Sequence, residues 1–271
     1  MKSKQAIMVI GHGNNSSVLQ KTINVLDDKN IDFFIHWDKK YKKPFLKSVY
    51  SKIHFINSLK VNWGTDTLMK VEINLLRTVY EQKNYKMAHL ISSSDIPLMD
   101  KNYFINYFNG TNSYLGFSRE KSDEIIERVK YYWPSFNLRN KRILSRGILT
   151  LNKFFHINRL KDRNVKILKG PQWFSISTEL LPYIFDYDTT IFKHTFCIDE
   201  IFMQTILSPK LNNSQSLGDD NEQAARYIDW KRGTPYMFTL SDVEELKKYR
   251  NTKFAFARKV ADPRVVEEVF N

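Results

Sequence analysis

The chain has 271 residues, 42% of them hydrophobic and 14% aromatic, with nine glycines, one cysteine and a formal net charge of +13. This composition is typical of a globular protein with a sizeable core, and it excludes disordered and fibrous proteins. The single cysteine, Cys197, excludes an internal disulfide framework and a multi-cysteine zinc site, and it fits a reducing compartment.

The positive charge predicts an anionic partner. Basic residues are spread through 39–47, 119–169 and 247–259 without the compact basic and aromatic module of a nucleic-acid-binding protein. We therefore expect an anionic membrane surface, or a nucleotide or lipid diphosphate, and no nucleic acid. No N-terminal apolar segment approaches the length of a signal peptide or a membrane span. These features predict a soluble, cytoplasmic protein of bacterial origin that could touch the inner face of the plasma membrane.

The first part of the chain predicts the beginning of a nucleotide-binding sheet. An apolar strand over 5–10, an amphipathic helix and a second strand over 31–37 have the spacing of a right-handed βαβ unit. Open sheets of this kind bind ligands past the carboxyl ends of their strands, which places His12 and Asp38 at the ligand edge. The glycines around His12 lack the number and spacing of a dinucleotide fingerprint.

Two further strands are predicted over 53–56 and 87–91, with a strongly amphipathic helix between them. We expect Pro97 to stop the second of these strands and to fix a turn. Asp95 would then lie at a strand end, with its carboxylate facing a cleft.

Helix and strand signals are weak over 107–169, where aromatic and basic residues mix. We interpret this part as an insertion or lid that carries acceptor contacts. Regular signals return at 170–171, where a Gly-Pro turn precedes a short strand with Trp173 at its head and then a helix.

Two adjacent carboxylates, Asp199 and Glu200, lie inside the apolar run 196–207. Burying a carboxylate without a partner is costly, so their position needs a reason. A structural reason is that Asp199 caps the helix that follows. A chemical reason is that a carboxylate in a partly dry pocket, where a strand-like run becomes a helix, can act as a general base for a hydroxyl.

The C-terminal part predicts a strand over 226–230, a helix begun by a capping box of Ser241 and Glu244, and an extended, half-buried segment over 254–259. That segment ends in Arg258 and Lys259. Neither repeats nor linkers interrupt the sequence, so we expect one domain.

Six segments in collinear order resemble the core-2/I-branching β-1,6-N-acetylglucosaminyltransferase and peptide O-xylosyltransferase family, glycosyltransferase family 14. They are IHWDKK (35–40), VNWG (61–64), SSSDIPL (92–98), QWFSIS (172–177), DE with QTIL (199–200 and 204–207) and FARK (256–259). The sequence departs from the family at Ser93, where glycine is usual, and over the middle third, so the acceptor is not carried across.

The resemblance implies an α/β fold of the GT-A type, with a mixed, mostly parallel central sheet flanked by helices. It implies a single domain over 1–271, with a nucleotide-binding half at 1–100 and an acceptor-binding and catalytic half at 101–271. The implied activity is inverting, metal-independent transfer of a sugar, for example N-acetylglucosamine, from a UDP-sugar to a hydroxyl of a cell-surface glycan or lipid-linked saccharide. No cofactor beyond the donor substrate is implied.

The resemblance also implies roles for individual residues. Glu200 matches the catalytic base, and Lys259 and Arg226 match the cations that hold the UDP diphosphate. The remaining substrate-binding candidates are His12 and Asp38 near the uridine, Asp95 and Trp173 near the sugar, and Asp199 and Arg258.

The chemistry of the residues agrees with these roles. Direct displacement needs one base near the acceptor hydroxyl and stabilisation of the departing diphosphate, and prepositioned cations can supply the latter in place of a metal. Two alternatives stay open. One is a metal-dependent transferase with Asp95 or the pair Asp186 and Asp188 as ligands, and the other is a non-enzymatic basic binding protein with steep salt dependence.

Overall fold

The computed structural model describes residues 3–119, 123–161, 163–211 and 218–271. The strands are β1 (Gln5–Gly11), β2 (Ile31–Trp37), β3 (Ile53–Phe55), β4 (Met87–Ser92), β5 (Asp95–Pro97), β6 (Ser175–Ser177), β7 (Arg226–Ile228) and β8 (Phe256–Arg258). The α-helices are α1 (Ser17–Leu26), α2 (Asp66–Glu81), α3 (Lys101–Tyr107), α4 (Asp123–Lys130), α5 (Arg142–Phe154), α6 (Leu181–Asp186), α7 (Phe202–Leu207), α8 (Asp220–Gln223), α9 (Val243–Lys248) and α10 (Arg264–Phe270).

The central sheet has five strands in the order β3-β2-β1-β4-β6. The pairs among β1 to β4 are parallel, and β6 is antiparallel to β4. Every residue of β1 and β2 is buried, as expected for parallel strands covered on both faces. The predicted α/β class, with a mixed and mostly parallel sheet flanked by helices, is confirmed.

Alternation along the central strands divides the core between two faces. Ile7 and Val9 pack in a cluster with the buried residues of α1 and α3. Met8, between them, packs in a second cluster with the buried residues of α2. Successive strand residues point to opposite faces, so a single strand supplies both cores.

A second sheet has three strands in the order β5-β8-β7. β5 contains Pro97 and runs antiparallel to β8. The prediction that Pro97 stops β4 and fixes a turn is therefore wrong. β4 stops at Ser92, and the turn lies at residues 93–94. Proline is tolerated in β5 because this strand lies at the sheet edge, where a missing backbone donor costs little.

The segment 107–169 contains two helices, α4 and α5, that the sequence did not predict. Tyr114 forms an isolated bridge with Ser175. α5 begins without a side-chain cap hydrogen bond, and its first turn lacks acidic residues. It therefore lacks the usual N-terminal signals of a helix. The C-terminal helix α10 was also not predicted.

Two local predictions are corrected. The capping box before α9 is formed by Thr239 and Asp242, not by Ser241 and Glu244. The run before α7 is not a strand but a 3-10 turn over Ile198–Glu200. Among the described helices, none is long and apolar enough to cross a membrane.

Candidate active site

The carboxyl ends of β1 and β2 lie side by side, since Gly11 pairs with Trp37. His12 follows β1 and is exposed, while Asp38 follows β2 and is buried. The Oδ2 atom of Asp38 lies 3.1 Å from Nζ of Lys40. These strand ends are the edge at which open parallel sheets bind ligands.

Charges from the other end of the chain reach the same edge. Although His12 reaches solvent, the protein atoms around one side of its ring partly desolvate it, and this lowers its pKa. The Asp38 carboxylate opposes this effect, and the positive charges of Arg258, Lys40 and Lys259 lower the pKa of His12 further. His12 and Lys259 are therefore close enough to interact electrostatically, although they come from opposite ends of the sequence.

Arg258 is held by three partners: the Asp95 carboxylate, the Ser92 hydroxyl, which accepts from Nη1, and the Trp173 ring. Asp95 lies opposite it across the β5–β8 pair, and Oδ1 of Asp95 is 2.8 Å from Nη1 of Arg258. Ser92 donates its backbone N–H to the other oxygen of Asp95 at 2.6 Å. The guanidinium carbon of Arg258 lies 4.3 Å from the ring centroid of Trp173. Asp95 is thus buried beneath Arg258 rather than facing an open cleft, and the Trp173 ring positions Arg258 instead of forming an open platform for a sugar.

Lys259 stands beside this cluster with its backbone fixed on both sides. Its N–H donates to Tyr236 O at 3.3 Å, and its carbonyl accepts from Phe238 N at 2.9 Å. Burial lowers the pKa of Lys259, and the positive charges of Arg258 and Arg139 lower it further, with Asp95 opposing. In the described part of the chain, no carboxylate oxygen lies within 4.0 Å of its Nζ, so its charge is not consumed by an ion pair.

Glu200 is the more open of the two adjacent acids, with 38% of its side chain exposed. Its Oε2 atom accepts from Nη1 of Arg128 at 2.9 Å, and Arg128 also pairs with Glu124. Within the described residues, the hydrogen bonds of this carboxylate use Oε2 alone. Oε1 is therefore the oxygen of Glu200 that is available to take a proton.

A backbone hydrogen bond from the Gly170-Pro171 turn also holds Glu200 in place. Gly170 donates its N–H to Glu200 O at 2.9 Å. A Cβ at Gly170 would lie 2.0 Å from Gly116 O, so only glycine permits this approach.

Asp199 does not cap a helix, and the structural explanation for it is wrong. Neither the 3-10 turn nor α7 has a side-chain cap hydrogen bond, and the buried Oδ1 atom of Asp199 lacks a partner among the described residues. Burial, and then the charge of Glu200, raise the pKa of Asp199 to about 7. Glu72, on α2, is also buried, and burial raises its pKa well above the usual range even though Gln172 donates to it at 2.7 Å. Asp199, which is next to Glu200, and Glu72, which is close enough to Asp199 to interact with it, are therefore two weakly acidic carboxyl groups.

Aromatic contacts connect the acidic and basic parts of the site. The ring centroid of Phe196 lies 6.0 Å from the guanidinium carbon of Arg128 and 5.8 Å from the centroid of Trp63. The guanidinium carbon of Arg139 lies 5.9 Å from the ring centroid of Trp63. The positive charge of Arg139 also lowers the pKa of Lys259. Trp63 is 41% exposed. These contacts place the acids and the cations around one surface.

Arg128 and Arg139 are functional candidates that the sequence analysis missed. Both lie in or beside the middle third, where the resemblance is poor and where basic residues are too frequent for any one to stand out. Only their contacts with Glu200 and Trp63 distinguish them.

Arg226 does not belong to this surface, which corrects its expected role as a diphosphate ligand. The residue is 1% exposed. Its guanidinium donates to carbonyls at the junction of the two sheets: Phe174 O at 2.6 Å, Ala224 O at 2.8 Å and Leu90 O at 3.1 Å. Burial lowers its pKa to about 9. Arg226 is therefore a structural residue that satisfies buried backbone acceptors.

The metal-ligand candidates are also engaged by protein groups. Both oxygens of Asp95 are hydrogen-bonded. Asp188 caps a short 3-10 turn through Thr190 and pairs with Arg163 at 3.1 Å, and Asp186 ends α6. Over the ranges that the structure describes, there is no group of three or more His, Cys, Asp or Glu residues placed to hold a metal ion.

Comparison with models of protein families shows which family the chain matches. The family model described as Core-2/I-Branching enzyme matches residues 6–250, which is most of the chain. Five of the six segments that carry the resemblance lie inside this match, and FARK (256–259) lies beyond its end. No curated protein matches the chain.

Proposed function

This chain belongs to the core-2/I-branching enzyme family and is a glycosyltransferase, and we propose that it is an inverting, metal-independent enzyme that uses a UDP-sugar. The proposed donor is of the UDP-N-acetylglucosamine type, and the proposed acceptor is a hydroxyl of a cell-surface glycan or lipid-linked saccharide. Family membership supports a nucleotide-sugar donor and a glycan acceptor in general. The finer assignments are proposals argued from the site.

One observation supports the proposal: Arg258 contacts Ser92 at the end of β4, and Asp38, Arg258 and Lys259 lie within electrostatic range of His12, which follows β1. A nucleotide diphosphate at this edge would face a net positive charge, because Asp95 neutralises Arg258 while Lys259 lacks an ion-pair partner in the described part of the chain. Fixed cations in a partly dry site stabilise a leaving group as it gains negative charge. We assign this role to Lys259, with Arg139 and Arg258 beside it.

Glu200 is the proposed general base. The acceptor O–H proton passes to Oε1 of Glu200 as the acceptor oxygen attacks the anomeric carbon of the donor sugar. The bond between that carbon and the phosphate oxygen breaks, and its electron pair leaves with UDP toward Lys259. Attack opposite to the leaving group inverts the anomeric centre, and neither a covalent intermediate nor an added redox partner is needed.

Asp199 is proposed to support this base and to contact substrate. Because the pKa of Asp199 is raised to about 7, much of it is protonated near neutral pH. A protonated neighbour adds no second negative charge beside Glu200 and can donate a hydrogen bond to a substrate hydroxyl.

The experiment that tests the proposal combines nucleotide binding with turnover. A thermal-shift panel of UDP, GDP, CDP and their sugar conjugates should single out uridine nucleotides, because a ligand that binds the native state raises the unfolding temperature. Donor hydrolysis or transfer should then persist in EDTA. Loss of turnover in EDTA that Mn²⁺ restores would instead support the metal-dependent alternative.

A further inference from the structure

Helix α5 exposes an apolar surface that the core does not use. Ile143 is 87% exposed and Phe154 is 72% exposed, and Leu151 and Phe155 are exposed as well. The only buried residue of α5 is Asn152. A cluster of large apolar side chains left in solvent on one helix marks an interaction surface.

These apolar side chains form one stripe. Ile143, Leu151 and Phe154 are separated by eight and then three residues, so they lie on one face of the helix. Arg142 and Arg146, four residues apart, lie together beside this stripe.

The opposite face of α5 is held by a polar contact. Asn152 accepts from Tyr132 N at 2.8 Å and donates to Tyr132 O at 3.0 Å. Beside it, Ile148 and Leu149 pack on the small cluster that contains Trp133. The helix is thus docked to the protein by one face, and the apolar stripe faces away from it.

The chain segment that contains the stripe carries charged residues of one sign. Residues 128–161 contain nine lysines and arginines and neither aspartate nor glutamate. Few of these cations are paired: Lys153 pairs with Glu127, and Arg128 with Glu124 and Glu200. An apolar face with an unneutralised basic border matches an anionic lipid surface, in which acyl chains and phosphates offer complementary chemistry.

We propose that α5 docks this protein on an anionic lipid bilayer. The α5 surface is defined as Ile143, Leu151, Phe154, Phe155, Arg142 and Arg146. The aliphatic and aromatic side chains enter the headgroup boundary while the arginines contact lipid phosphates. The docking does not depend on the transfer reaction.

The α5 surface lies near Glu200, the residue proposed to take the acceptor proton. The cluster beneath α5 includes Phe196, which contacts Arg128, the ion-pair partner of Glu200. A bilayer at α5 therefore brings a saccharide on a membrane lipid close to the acidic part of the site.

Vesicle sedimentation tests the proposal. The full chain is mixed with vesicles of phosphatidylcholine alone, or of phosphatidylcholine with phosphatidylglycerol in a two-to-one ratio. We expect binding to the anionic vesicles, weakened by salt, and little binding to the neutral ones. Ile143→Ser with Phe154→Ser should lower the partition coefficient by about tenfold or more, and Arg142→Gln with Arg146→Gln by about fivefold per charge removed.

The matched control is Phe45→Ser with Val49→Ser, which removes two equally exposed apolar side chains from the loop after β2. This variant should bind anionic vesicles like the wild type, and all variants should keep the wild-type unfolding temperature because the changed side chains are exposed. Equal binding by the wild type and the Ile143/Phe154 variant would overturn the proposal. So would sedimentation equilibrium in which the wild type forms dimers that this variant does not, with vesicle binding absent in both.

Discussion

Arg258 lies over the face of Trp173, with its guanidinium carbon 4.3 Å from the ring centroid, while its Nη1 donates to Asp95 at 2.8 Å. The two contacts approach the guanidinium from different sides and fix it in place. Lys259 follows directly in the chain, so its position depends on this anchor. The basic edge of the site is therefore preorganised before any nucleotide arrives, which is what electrostatic stabilisation of a leaving group requires.

Removing the Trp173 ring should weaken nucleotide binding through Arg258. We expect Trp173→Leu to raise the Kd for UDP by about threefold to thirtyfold, since a partly desolvated cation–π contact contributes about 0.5–2 kcal/mol. Trp173→Phe keeps an aromatic face, so its Kd for UDP should lie between those of Trp173→Leu and the wild type. Isothermal titration with UDP measures both, and equal affinities for all three proteins would refute the positioning role of the ring.

Glu200→Gln should abolish transfer but leave UDP binding intact. Loss of a general base lowers the rate by about a hundredfold to ten-thousandfold, whereas the proposed nucleotide contacts lie on the basic edge. Glu124→Gln is the control, because it removes the other carboxylate that Arg128 holds. Initial rates of transfer and UDP titrations give the comparison. Turnover that survives Glu200→Gln and fails in Glu124→Gln would show that the base is misassigned.

Lys259→Met should impair catalysis more than binding. Removing one fixed cation from a developing negative charge costs about a hundredfold to a thousandfold in kcat, and the KM for the donor should change less. Lys248→Met, on α9, removes a lysine of the same kind that none of the described ion pairs uses. Steady-state kinetics in EDTA separate the two effects, and an unchanged kcat in Lys259→Met would remove the central support for metal-independent transfer.

Arg226→Met should destabilise the fold rather than alter the site. The change removes the guanidinium donor from several buried carbonyls, including Ala224 O and Leu90 O, and a buried polar group left unpaired costs about 1–3 kcal/mol. Urea unfolding measures the loss, with the exposed Arg264→Met as control. If Arg226→Met unfolds like the wild type but loses UDP binding, Arg226 is a ligand after all.

The stability of the protein should fall as pH rises through the titration of Asp199. Its folded pKa, raised to about 7, exceeds the unfolded value, so the folded state binds the proton more tightly. The stabilisation is complete below the unfolded pKa and is lost as pH approaches and passes about 7. Asp199→Asn stays neutral throughout and should lose less stability over this interval. Urea unfolding at about pH 5 and about pH 8 measures the difference, and equal losses in both proteins would contradict the assignment.

Much of the fold is accessible from local sequence. β1 and β2 are continuous apolar runs because both of their faces are buried. α2 has apolar residues at a helical spacing because only one of its faces is buried. The strand ends at His12 and Asp38 follow from the βαβ unit alone. The turn after β4 was predicted at Pro97 but lies at residues 93–94, and the capping box before α9 was predicted two residues too late, because a small shift along the chain hardly alters a local pattern.

What the sequence by itself determined is the parallel sheet with the helices between its first strands, and the resemblance that led to the family. Only the tertiary structure decided which charges act together. Arg226 and Arg258 are both arginines in short strands, yet one is buried among carbonyls and the other faces Asp95, 163 positions away in the chain. Burial and Coulomb energy depend on distances across the folded molecule, which local composition does not encode. The same reason explains why the apolar residues of α5 could be recognised as exposed only in the fold.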